Sequence, residues 1–269
     1  MRPPILYLAI GRKRSGKSRR TLEILRQYVT LGRKCLIFDT QDEYVGPEYM
    51  DIRTLSYTQV SLFSQHPEIS IRRIPPFHFS GNEFTPDEKA VIVQHILNHF
   101  RSGLLLLEDI NDYLYDYMPM DIVGKVLSQR HKAMDIVMHF HSLGAVQKKI
   151  WRHINVIRLH KCEDSVEDNK DKFPEKYELF KIAELIVNDQ YNQGNEFFSL
   201  EIMVTERKIV GGFADADRDK AIEDYLSLRY VKLIKPYLTR VSLHQDKEYT
   251  KETAFQAELQ RLRTTYFNA

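Results

Sequence analysis

Eight residues near the start of the chain, Gly11-Arg12-Lys13-Arg14-Ser15-Gly16-Lys17-Ser18, have the types and spacing that hold phosphate. They satisfy every fixed position of G-x-x-x-x-G-K-[ST]. Glycine lets the backbone curl so that consecutive N–H groups point inward at phosphate oxygens. Lys17 is spaced to reach the β- and γ-phosphates of a nucleoside triphosphate, ATP or GTP, and Ser18 to offer its hydroxyl to Mg²⁺. Gly11, Arg14, Ser15, Gly16 and Arg19 complete the candidate nucleotide contacts. Arg12, Lys13 and Arg14 leave two readings open, neutralisation of phosphate charge and plain solvation.

Such a loop hydrolyses only if an acid on a neighbouring strand holds the metal and orients water. Leu104-Leu105-Leu106-Leu107-Glu108-Asp109 supplies four apolar residues and then two carboxylates, which emerge at a strand's C-terminal end. Ligands of open α/β sheets bind at that edge. A pair of acids permits a division of labour between holding the ion and polarising water. The rival is Phe38-Asp39, with Asp42 and Glu43 close behind. The more strongly apolar strand favours Glu108 and Asp109.

Positioning these groups requires an alternation of buried strands and helices, and the sequence carries one. Ile5–Ile10 is continuously apolar, as suits a strand covered on both faces. Lys17–Leu31 follows with Leu22, Leu25 and Val29 at helical spacing, and Gly32 suits its end. Further strands are expected at Cys35–Phe38, Leu104–Leu107, Asp135–His141 and Asn155–His160. Thr85-Pro86-Asp87-Glu88 reads as a helix start, with Thr85 as cap and Glu88 closing the capping box. Short helices are expected near 120–131 and 145–151, and a longer one over 174–193, stopped by Gly194. Phe197–Val204 and Lys208–Phe213 read as an edge hairpin. The domain reading is therefore a core over 1–215, with a loop-rich insertion at 40–84, and a helical extension over 216–269. In that extension Phe255, Leu259, Leu262 and Tyr266 form one narrow stripe, suited to docking on the core or on a neighbouring subunit.

Composition bounds the rest. At 269 residues, 43% hydrophobic and 28% charged, the chain can bury a full core. No apolar run approaches the roughly 18 residues that a membrane span needs. Two cysteines are too few for a disulfide framework and fit a reducing, cytoplasmic setting. A net charge of +2 argues against static coating of nucleic acid, although a multimeric motor gripping through a few loops need not be basic.

Together the phosphate loop, Ile37-Phe38-Asp39, Glu108-Asp109 and the run from Ser128-Gln129-Arg130-His131 to Asp135–His141 resemble the FtsK/HerA-like translocases. Within that group the likeness is to viral DNA-packaging and zonular-occludens-toxin-like ATPases, over roughly residues 1–213. The resemblance implies a RecA-like (ASCE) α/β P-loop NTPase core with strand order 5-1-4-3-2, counting the five strands above. It also implies ATP and Mg²⁺ as ligands, a homo-oligomeric ring (hexamer or pentamer), and ATP-driven movement of double-stranded DNA. A portal or capsid protein would be the partner, in the host cytoplasm or on the virion. Relatives carry Asp then Glu where this chain has Glu108 then Asp109, which makes Glu108 the metal-side acid and Asp109 the water-activating acid. Relatives end strand four with a Thr-Gln pair that senses the γ-phosphate, a place taken here by Phe140-His141. His141 is thus a candidate sensor or a structural histidine. Arg130 is a candidate arginine finger or a solvated helix-end charge. Zonular-occludens-toxin-like proteins carry a membrane span that this chain lacks, favouring the packaging type.

Other signals are bland. His139, His141, His153, His160 and Cys162 match no common zinc spacing, and Asp215, Asp217 and Asp219 suit a helix start better than a calcium loop. Arg229, Lys232, Lys235 and Arg240, interleaved with Tyr230 and Tyr237, fit DNA phosphate contact or a solvated face equally. Two competing functions remain, a nucleotide or small-molecule kinase and an ATP-binding switch with little turnover. No Arg-rich lid of the kinase type is evident.

Overall fold

In the computed structural model, residues 3–114, 120–239 and 249–267 are described. The chain divides into two compact units, 1–157 with 162–164, and 158–161 with 165–269. The division falls inside a strand.

The first unit alternates strand and helix. Its strands are β1 (Leu6–Ile10), β2 (Lys34–Phe38), β3 (Ile52–Thr54), β4 (Ile71–Ile74), β5 (Gly103–Leu107) and β6 (Asp135–Phe140), followed by the start of β7 (Val156–His160). Between them run α1 (Lys17–Thr30), α2 (Val60–Gln65), α3 (Pro86–His99), α4 (Asn111–Leu114), α5 (Met120–Leu127) and α6 (Lys148–Trp151). Every residue of β1, β2, β5 and β6 is buried, as strands covered on both faces should be. Helix α3 starts on the expected box: Thr85 accepts from the Glu88 N–H, the Glu88 carboxylate accepts from Thr85, and Pro86 follows the cap.

The strands lie in the order β3-β4-β2-β5-β6-β1-β7, and the pairings β3–β4, β4–β2, β2–β5, β5–β6 and β6–β1 are parallel. The five strands expected from sequence keep the RecA-like order. What differs is the segment 40–84, where β3 and β4 extend the sheet beyond β2. Their sequences, Ile-Arg-Thr and Ile-Arg-Arg-Ile, are short and carry arginines, so they lack the apolar run that marks the central strands. Gly103 opens β5 because a Cβ there would lie 2.6 Å from the Lys34 carbonyl oxygen and from the Phe100 ring.

Register decides which residues share an edge. Ile10 stands opposite Phe140, Phe38 opposite Leu107, and Leu107 opposite Met138. Gly11, Asp39, Glu108 and His141 therefore leave the sheet at one C-terminal edge.

The second unit holds the rest of β7 and the antiparallel pair β8 (Ser199–Met203) and β9 (Lys208–Val210), in the order β7-β8-β9. Its helices are α7 (Tyr177–Asn192), α8 (Asp215–Leu228), α9 (Tyr230–Leu233), α10 (Lys235–Leu238) and α11 (Lys251–Tyr266). Asp215 does open a helix. Leu259, Leu262 and Tyr266 of α11 are buried and Phe255 is half-buried, with α11 packed against α8 of the same unit. Arg240 lies outside the described residues. Among the described residues, no helix is long and apolar enough to cross a membrane.

Candidate functional site

The phosphate loop leaves β1 at Gly11, whose N–H donates to the Phe140 carbonyl at 3.1 Å. Two residues then take left-handed backbone, Arg14 at φ 61° and Gly16 at φ 87°. Glycine adopts that conformation freely, so Gly16 is where the chain turns into α1. The strained Arg14 is the sort of outlier that gathers at ligand sites. Lys17 is 6% exposed and folds back, donating from Nζ to the Gly11 carbonyl at 2.8 Å and the Arg12 carbonyl at 3.0 Å. Burial lowers its pKa, against the attraction of Asp109, Glu108 and Glu43. Those three acids therefore gather around one lysine. Ser15 is buried, Ser18 half-buried, and Lys13, Arg14 and Arg19 are exposed.

Glu108 is 3% exposed. One carboxylate oxygen accepts from the Tyr44 hydroxyl, and the other lies 2.8 Å from His139 Nδ1. The far nitrogen of His139, Nε2, lies 2.8 Å from the Thr21 hydroxyl on α1. A buried chain thus runs from β5 through β6 to the helix that follows the phosphate loop. Burial and the Glu108 carboxylate both push the Tyr44 hydroxyl well above its usual pKa.

Asp109 is 7% exposed and sits at φ 35°, an unusual backbone for a non-glycine residue. Its Oδ1 is 3.1 Å from His141 Nε2. Burial pushes this carboxyl up, but His141, Lys17 and His139 outweigh burial and hold it below the usual range. The structure thus brings Lys17, Asp109 and His141 together. Arg130 lies in a 3-10 turn over Gln129–Lys132, and its side chain is outside the described set.

Sequence reasoning underrated Glu43. The Ser18 hydroxyl donates to Glu43 Oε2 at 2.6 Å, whereas Glu108 pairs with Tyr44 and His139. Asp39, fully buried, accepts from the N–H groups of Glu43 at 2.9 Å and Tyr44 at 3.1 Å, and Arg73 braces it at 2.8 Å. Burial pushes the Asp39 carboxyl up against those three donors. Burial likewise raises Glu43; its bond to Ser18 opposes the rise, while the charges of Glu108 and Asp109 add to it. The Asp39–Glu43 spacing was visible in the sequence, but the Ser18 contact was not. His139, Thr21 and Tyr44 gave no sequence signal of their own. Past His141, the N–H groups of Leu143 and Gly144 donate to the Asp164 carboxylate at 3.1 and 2.7 Å, fixing that loop.

Among the described residues no three His, Cys, Asp or Glu side chains form a ready-made metal cluster. Mg²⁺ fits this donor set, because it takes hard oxygen ligands and is usually held by one or two carboxylates together with substrate phosphates and water. A hydroxyl beside carboxylates at a phosphate loop is such a set.

No protein-family model and no curated protein matches the sequence. Solved structures do match. The genome-packaging NTPase B204 of Sulfolobus turreted icosahedral virus 2, in complex with AMP, aligns with a TM-score of 0.53 at 13% identity, covering 80% of this chain and 100% of that one. The same protein with ATP-gammaS gives a TM-score of 0.51 at 13% identity, over 79% of this chain and 98% of that one. B204, the DNA-packaging ATPase of Sulfolobus turreted icosahedral virus, gives 0.51 at 15% identity, over 80% and 100%. The chain has the α/β P-loop NTPase fold of these packaging enzymes, the fold that the FtsK/HerA-like resemblance implies.

Proposed function

We propose that this protein is an Mg²⁺-dependent ATPase of the genome-packaging type that moves double-stranded DNA as a homo-oligomeric ring. The carrying observation is the convergence on one sheet edge of Lys17, the Ser18 hydroxyl and the carboxylates Glu43, Glu108 and Asp109. Support also comes from the fold shared with packaging NTPases that were crystallised with AMP and ATP-gammaS.

In this reading the loop from Gly11 to Ser18 cradles the phosphates with its N–H groups. Lys17 leaves the carbonyls of Gly11 and Arg12 to meet phosphate oxygens. Ser18 and one carboxylate of this layer would hold Mg²⁺, which when bound would neutralise charge developing on the transferred phosphoryl group. Asp109 orients the attacking water and accepts its proton. His141, paired with Asp109, and Arg130 are the residues through which loss of the γ-phosphate would reach the rest of the ring. A pentamer or hexamer docked on a portal or capsid protein would complete the motor.

One observation favours a slower enzyme, an ATP-dependent switch. The contact with His141, together with Lys17 and His139, holds Asp109 below the usual carboxylate range, and a weaker base takes a proton less readily.

The test is phosphate release at multiple turnover, with and without duplex DNA. A motor is stimulated by DNA, and Lys17→Ala abolishes both rates, by about 100-fold or more. Hydrolysis at the normal rate in Lys17→Ala sinks the site. A basal rate that DNA leaves unchanged moves the reading to the switch.

A further inference from the structure

The residue that contacts the Ser18 hydroxyl is neither member of the acidic pair after β5. It is Glu43, whose Oε2 accepts the Ser18 proton at 2.6 Å. Glu108 has both carboxylate oxygens engaged elsewhere, by Tyr44 and by His139, and is almost fully enclosed. Asp109 is paired with His141.

Chemistry explains why a carboxylate belongs beside Ser18. A serine that gives a lone pair to a cation still carries its proton, and the cation makes that O–H a stronger donor. A carboxylate accepting the proton fixes the hydroxyl's rotamer and aims the lone pair at the metal. Octahedral ligands at ~2.1 Å from Mg²⁺ stand ~3.0 Å apart, so an oxygen already in contact with Ser18 is also within reach of the ion's coordination shell.

Glu43 is also held in place from behind. Asp39 takes the N–H groups of Glu43 and Tyr44, Arg73 clamps Asp39, and Asp42, in left-handed backbone at φ 53°, turns the chain between them. The Tyr44 hydroxyl then ties this turn to Glu108. Side chains that orient a metal ligand in this way shape metal affinity.

We propose that Glu43 is the carboxylate partner of Ser18 at the Mg²⁺ of the bound nucleotide, and that Glu108 acts through Tyr44 as a positioning residue. Asp39 and Arg73 are the other positioning residues. The assignment rests on the nucleotide-binding function proposed above and reassigns one role within it.

The experiment measures the affinity of a fluorescent ATP analogue in excess Mg²⁺ and in EDTA, for the wild type, Glu43→Gln, Glu43→Asp and Glu108→Gln. The quantity read is the ratio of the two affinities, with thermal unfolding confirming that each variant is folded. Glu43→Gln should lower the Mg²⁺ gain about tenfold or more, with Glu43→Asp intermediate and Glu108→Gln losing less than Glu43→Gln. Mn²⁺ bound in place of Mg²⁺ gives a second readout, since its water-proton relaxation enhancement in the nucleotide complex should change in Glu43→Gln. A wild-type Mg²⁺ gain in Glu43→Gln overturns the assignment, as does a loss confined to Glu108→Gln. Tighter Mg²⁺-nucleotide binding in Glu43→Gln also overturns it, making Glu43 a competitor for Ser18. If the wild type binds no nucleotide even in excess Mg²⁺, the functional reading falls and takes the assignment with it.

Discussion

Charged side chains cluster in both units, but they are balanced differently. In the second unit three acids each meet at least two donors, with Arg261 serving two of them. Glu178 accepts from Arg261 at 3.1 Å and Tyr266 at 2.6 Å, Glu258 from Arg261 at 2.8 Å and Tyr237 at 3.0 Å, and Asp219 from Arg218 and Arg263 at 2.8 Å each. In the first unit Glu43, Glu108 and Asp109 all act on the single ammonium of Lys17. A matched network serves to pin α7, α8 and α11 together. A surplus of carboxylate at a sheet edge costs stability, and the chain tolerates it where a cation and a phosphate chain would complete the balance.

The largest effect that could break this contrast lies at Asp109. Asp109→Asn should lower kcat for ATP hydrolysis by about 100-fold or more with little change in KM, because a positioned base is lost while binding is kept. Steady-state phosphate release separates the two constants. A rise in KM alone would remove Asp109 from the water-orienting role.

Stability should respond in the opposite sense in the two regions. Glu178→Gln removes one of the two carboxylates that Arg261 meets and should cost about 1–2 kcal/mol, read from the urea midpoint. Glu43→Gln, which removes a carboxylate raised by burial and by the charges of Glu108 and Asp109, should be neutral or stabilising in the same measurement. Equal losses at both positions would mean that the site acids are structural as well.

The smallest effect is in acid titration, followed by carboxyl NMR. Glu167 is pulled down to about 2 by Lys170 and Tyr177, against a usual 4.5. Its folded value is the lower one, so its contribution to stability is complete above the usual range and disappears as pH falls through about 2. Glu43 is raised, so when ionised it costs stability, and mild acidification relieves that cost as pH falls through its raised value. Glu43 should therefore titrate above 4.5, well before Glu167. The reverse order would erase the distinction.

Legibility in the sequence followed locality. The strands β1, β2, β5 and β6 announced themselves because burial on both faces demands a largely apolar run. The start of α3 was readable because a capping box spans only Thr85 to Glu88. β3 and β4 were not, since edge strands of three or four residues carrying Arg53, Arg72 and Arg73 look like loop.

The phosphate loop was determined by sequence alone. Its eight contiguous residues need only their own backbone freedom and the helix that follows, and Gly16 at φ 87° realises that locally. Which acid serves Ser18 was decided only by the tertiary structure. Glu43 is 25 residues from Ser18, Tyr44 is 64 from Glu108, and His139 is 118 from Thr21. Hydrophobic periodicity says that a strand ends in a carboxylate; parallel register and the turn after β2 decide where that carboxylate points.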